Sequence, residues 1–156
     1  MKLAKQTPKG FQYELDGEDA ESLRFLVKQF PISAFSLSNI SKTDSGSNAE
    51  EREKLINDSL RAHQTQLKHK ARQLVMREKF KKSDGKQLYH ISLQARETML
   101  QILNEIRVGS WRILGEPENL EASVFRLTED KFKYYHFMHL AGYFEYHFLN
   151  LEEERG

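Results

Sequence analysis

Apolar and polar side chains alternate over Lys2–Thr7 and again over Phe11–Leu15, with Pro8-Lys9-Gly10 between the two runs. A period of two on both sides of a turn predicts a β-hairpin. The period then lengthens. Ala20, Leu23, Leu26, Val27 and Phe30 fall on one side of a helix from about Gly17 to Phe30, which Asp16 can cap and Pro31 stops. Residues 31–48 hold six serines and Gly46. The first half of that stretch (Ile32, Phe35, Leu37, Ile40) is expected to dock on the core and the second half, Ser41–Asn48, to be mobile.

Asn48 with Glu51 three residues later makes a capping-box-like start for a long helix, about Ala49 to Lys79. Along it Leu55, Ile56, Leu60, Leu67, Ala71, Leu74 and Val75 are expected on one side. Ser83-Asp84-Gly85-Lys86 reads as a turn and Leu88–Ile91 as a short strand. Ser92 is placed to cap a third helix, about Leu93 to Leu114, closed by Gly115 and Pro117. Thr128 opens a fourth, about Glu129 to Leu151. The resulting expectation is one mainly α (α+β) domain spanning 1–156. It has a four-helix core, a small N-terminal β-hairpin and a short extra strand. An antiparallel pair of the third and fourth helices is expected at its centre.

Composition narrows the chemistry. The 156 residues include no cysteine, which excludes disulfides, a thiol nucleophile and cysteine-based metal sites. No apolar run approaches the ~20 residues of a membrane span, and no signal peptide is visible, so the expected location is cytoplasmic. The net charge of +1 hides an asymmetry. Residues 1–48 carry six cations and six anions, residues 49–82 ten and five, and residues 83–156 eight and twelve.

Much of the basic excess lies in a column. Lys54, Arg61, Lys68, Arg72 and Lys79 project within about 40° of one another, over about 37 Å of helix. Such a column suits a solvated face, this protein's own acidic C-terminal half, or an outside anion, with the internal contact the first expectation. The segment after it, Phe80 to Ile91, could form a basic hairpin that resembles the wing of winged-helix DNA-binding regulators.

The third helix carries one charge out of pattern. Arg107 projects between Leu100 and Leu114 and is the candidate for a buried charge that needs an acidic partner. The fourth helix has eight aromatics between Phe132 and Phe148, on nearly every side, as expected of a helix held between core and partner. It is the candidate homodimer surface (129–151). Gly109 and Gly142 lie inside these two helices, and a close crossing of Gly109–Ser110 with Ala141–Gly142 would explain both. His136, His139 and His147 share a face. Only His136 and His139 lie close enough for one metal ion, so they are weak candidates, and no metal or cofactor is expected. Phosphate loops, zinc-protease motifs and nucleophile elbows are absent from the sequence, and no enzyme is expected.

The run Leu103-Asn104-Glu105-Ile106-Arg107-Val108-Gly109-Ser110-Trp111 resembles the central helix of a bacterial domain-of-unknown-function family of similar length. That family also has a strand pair, a helix and loop, a long charged helix and a final helix. Its genes often neighbour the adaptor of the Clp protease, so the resemblance implies a link to regulated proteolysis. It supplies no catalytic residues. The expected function is therefore a non-enzymatic interaction or regulatory protein that binds another protein. The alternative is a nucleic-acid-binding transcriptional regulator using helix 49–79 and hairpin 80–91.

Overall fold

A computed structural model describes residues 1–32 and 47–149. Strands β1 (Lys2–Thr7) and β2 (Gly10–Leu15) form the expected hairpin. Helix α1 (Gly17–Lys28) follows, then α2 (Ser47–Leu74), β3 (Phe80–Ser83), β4 (Lys86–Ser92) and α3 (Leu93–Ile113). A short helix α4 (Leu120–Ser123) precedes α5 (Glu129–Leu149). The expected docking of Phe35, Leu37 and Ile40 and the mobility of 41–46 fall outside the described residues.

The local signals behave as side-chain chemistry requires. Asp16 accepts the Asp19 amide at 2.7 Å and Ser92 accepts the Ala95 amide at 3.0 Å, so both helices begin on the capping oxygen read from sequence. Asp84 (φ 48°) and Gly85 (φ 77°) are both left-handed, as the two-residue turn of a twisted hairpin demands. That turn joins β3 to β4, so Phe80–Ser92 is a hairpin that follows the shortened helix. Helix α2 ends at Leu74, and Lys79 lies on a single 3-10 turn, Arg77–Lys79. At its other end α2 begins at Ser47, which puts Asn48 inside the first turn rather than at the cap.

The strands make one antiparallel sheet in the order β1-β2-β4-β3. The hairpin and the extra strand are thus halves of a single four-stranded sheet. Its inner face carries Leu3, Phe11, Tyr13, Leu15, Phe80, Tyr89 and Ile91, all buried. Gly10 is required where β2 meets β4, because a Cβ there would fall on the Ile91 carbonyl. Against the inner face lie the helices. The largest helix–helix interface joins α3 and α5, through Met99, Ile102, Leu103 and Ile106 on one and Phe137, Ala141, Phe144 and Phe148 on the other, all buried. The sheet supplies a wall of this core, so the architecture is not strictly a four-helix core.

Two polar contacts fasten the end of α5 to the sheet side. The Tyr13 hydroxyl donates to the Phe148 carbonyl at 3.0 Å, and Arg96 Nη1 donates to the same oxygen at 3.2 Å. That carbonyl is in the last described turn of α5. The Arg96 guanidinium also lies 4.2 Å from the centre of the Phe11 ring.

Only part of α2 reaches the core. Leu67, Ala71 and Val75 are buried. Counting back from them in helical turns gives Gln64, Leu60, Asn57 and Glu53, all half-buried, and leaves Leu55 and Ile56 off that line. Leu55 is 70% exposed and Ile56 43% exposed, contrary to the expectation that both join the core stripe.

Candidate interaction surface

Where α2 turns away from the core, a groove opens between it and α3. Its lining comprises Phe30, Pro31 and Ile32 after α1, Leu60, His63 and Gln64 of α2, and Asn104, Glu105, Val108, Gly109 and Arg112 of α3. Its volume is about 250 Å³. That exceeds the ~150 Å³ of an apolar cavity able to hold a benzene ring. Ile56, 43% exposed, lies one helical turn before Leu60 and outside the lining, while Val108 on the opposite wall is 37% exposed. Gln101 and His63 approach to 3.4 Å between their side-chain nitrogens and tie α3 to α2 beside the groove.

Gly109 is part of this wall. A Cβ on it would stand 3.0 Å from the Cβ of Ile32, so the glycine admits the chain leaving α1. Nothing lies within 4 Å of a Cβ built on Gly142. Neither glycine therefore sits at a close contact of α3 with α5, the role expected of both. Their neighbours Ser110 and Ala141 are both 0% exposed. An interior glycine signals close approach, but its partner is set by the tertiary course of the chain.

The basic column is exposed along its length at Lys54, Arg61, Lys68, Arg72 and Lys79. Four of the five are on α2, spanning about 27 Å. Salt bridges between described residues involve none of the five, so the expected contact with the acidic half is not made there.

Arg107 is not buried. Its side chain is 45% exposed, donates to Asn104 Oδ1 at 3.0 Å and stands 3.6 Å from Glu145 Oε2. The charge withdrawn from water is Glu145, 13% exposed, whose Oε1 has no hydrogen-bond partner among the described residues. Burial raises its pKa, and the Arg107 charge opposes that shift. The periodicity placed a charge at this contact correctly but on the wrong partner: the long arginine reaches to the surface, whereas the shorter glutamate cannot.

The α5 histidines sit among aromatic edges. His136 packs on Phe132 at 4.8 Å between ring centres and His139 on Tyr135 at 4.5 Å. His139 Nε2 is 3.3 Å from Glu121 Oε1, and the Tyr135 hydroxyl donates to Glu121 Oε2 at 2.8 Å. That hydrogen bond raises the Tyr135 pKa. Among the described residues no three His, Asp or Glu side chains gather as a metal site, and no helix is long and apolar enough to cross a membrane.

No family model, curated protein or solved structure matches the chain. The functional reading therefore rests on the groove, the column and the sheet. Sequence periodicity named the column but missed the groove. Only the packing of three segments brings His63, Gln64, Val108 and Gly109 together.

Proposed function

We propose that this protein is a non-enzymatic interaction protein that binds another protein through the α2–α3 groove. One observation carries the reading: an apolar groove of about 250 Å³ that has exposed Val108 in its wall and exposed Ile56 one helical turn before Leu60. The chemistry fits a partner segment that inserts one aromatic or two aliphatic side chains and leaves its polar flank in water. The resemblance to a family encoded beside the Clp adaptor fits such a role in regulated proteolysis.

The test begins with capture of partners by the tagged chain in its native cell, identified by mass spectrometry. The purified partner is then titrated against the parent and an Ile56→Asp/Val108→Asp variant. The expected result is a loss of affinity of tenfold or more, about 1.4 kcal/mol, with the melting temperature unchanged. Equal affinity for both proteins would overturn the reading.

The second reading, a nucleic-acid-binding regulator, draws on the unpaired column Lys54, Arg61, Lys68 and Arg72. Salt separates the two. Phosphate binding weakens steeply with ionic strength, whereas docking of apolar side chains does not.

A further inference from the structure

The sheet has a second face, and among the described residues no helix packs on it. Its composition follows from the register. Lys5, Gln12 and His90 form one cross-strand row, and Lys2, Glu14, Leu88 and Lys81 the next. Lys86 and Ser83 form a third. Four lysines thus share the face with one carboxylate, a net charge of +3 by that count, with His90 neutral.

The single carboxylate does not offset the rest. Glu14 lies between Lys2, at 3.8 Å, and Lys86, and their charges hold its pKa below the usual value. Lys5 and Lys81, both exposed, make no ion pair with any described residue. Lysines on edge strands discourage strand pairing with other chains. That role accounts for β1 and β3 but not for Lys86, which is on inner strand β4.

We infer that this outer sheet face binds the phosphodiester backbone of nucleic acid, a site separate from the α2–α3 groove. Charge complementarity identifies the occupant. The cations stand on β1, β4 and β3, from one edge of the sheet to the other, about 14 Å at ~4.8 Å per strand, and match a ligand whose negative charge repeats along its length. Gln12, His90 and Ser83 add polar side chains able to hydrogen-bond phosphate oxygens. An acidic protein fits less well, because protein interfaces have an apolar centre and this face offers only half-buried Leu88. The face has no aromatic side chain on which bases could stack, so recognition is of backbone rather than sequence.

The test uses fluorescence anisotropy with a labelled 20-base-pair DNA duplex, the matching RNA duplex, a 20-nucleotide single strand and poly-glutamate. The full chain is compared with Lys5→Glu/Lys81→Glu and, separately, with Lys54→Glu/Arg61→Glu/Lys68→Glu on α2. The parent is expected to bind at least one nucleic acid, with a log–log salt slope of about −3 to −4 from roughly four phosphate contacts. The sheet variant should bind more than tenfold more weakly with an unchanged melting temperature, and the α2 variant like the parent. Which probe binds tightest distinguishes duplex from single strand. The inference is overturned if the parent binds none of the nucleic acids, if poly-glutamate binds equally well, or if only the α2 variant loses binding. None of these outcomes bears on the groove, which Ile56→Asp/Val108→Asp tests independently.

Discussion

Helices α5 and α2 are the two elements whose side chains resist a simple inside–outside division, and they end in opposite environments. On α5 the inner side is closed by neighbours, while Phe132, Tyr143 and Tyr146 on its outer sides stay 41%, 38% and 60% exposed. Phe144 and Phe148 are 0% exposed, and Phe148 meets Tyr13 edge to face at 5.0 Å between centres. On α2 the apolar residues of the first half have no such neighbours, and Leu55 and Ile56 remain in water. Hydrophobicity alone therefore does not separate core from candidate binding surface. Helical phase does. Residues in register with Leu67, Ala71 and Val75 turn inward even when polar, as Asn57 and Gln64 do, and apolar residues out of register stay exposed.

The comparison breaks most sharply under truncation. Phe144→Ala should cost about 3–5 kcal/mol, whereas Leu55→Ala should change stability by no more than ~0.5 kcal/mol. Denaturant melts giving similar values would show that α2 is packed as tightly as α5. Next in size is the pin between the sheet side and α5. Arg96→Ala removes a hydrogen bond to the Phe148 carbonyl and the contact with Phe11, and should cost ~1–3 kcal/mol. Tyr13→Phe should cost only ~1 kcal/mol, since Arg96 still serves that oxygen.

The N-terminal side of α5 packing adds a pH signature. Burial tends to raise the Asp19 pKa, but hydrogen bonds from the Met1 ammonium at 2.9 Å and the Tyr143 hydroxyl at 2.8 Å outweigh it and leave the value lowered. A carboxylate with a depressed folded pKa stabilises above its unfolded pKa of about 3.8, and that contribution is lost as pH falls through the lower, folded value. Asp19→Asn should therefore cost ~1–2 kcal/mol near neutral pH and flatten the acid limb of a stability–pH curve. An unchanged acid limb would show that the network contributes nothing.

Glycine substitutions sharpen the contrast at smaller scale. Gly142→Ala meets open space and should stabilise by about 0.5–1 kcal/mol. Gly109→Ala must displace Ile32 and should fall short of that gain. Equal thermal shifts would place the two glycines in equivalent surroundings. Smallest of all, reversing Arg61, Lys68 and Arg72 to glutamate should leave the melting temperature nearly unchanged, each exposed charge being worth ~0–1 kcal/mol.

What was legible in the sequence was local. Caps at Asp16 and Ser92, the Asp84-Gly85 turn and the closure of α3 at Gly115 follow from hydrogen bonds and backbone angles within a few residues, while α1 ends at Lys28, two residues short of the expected Phe30. Strand β3 was harder. Phe80-Lys81-Lys82-Ser83 has a single apolar residue, and it is a strand because Phe80 stacks on Tyr89 at 4.7 Å opposite it in the register. Nonlocal geometry also decided the groove, the sheet's outer face and the burial of Glu145 in place of Arg107. In each case the deciding partner is tens of residues away, where periodicity within one element carries no information.

The bond from Tyr13 to the Phe148 carbonyl links residues 135 positions apart, and it orders events during synthesis. The N-terminal hairpin leaves the ribosome first, but its inner face is not fully covered until α5 has been translated. At ~5–20 residues per second, Tyr13 and its neighbours wait several seconds or more for Phe144 and Phe148. A nascent chain stalled before α5 would therefore present apolar sheet surface to chaperones, and release of the last helix is the step that removes it.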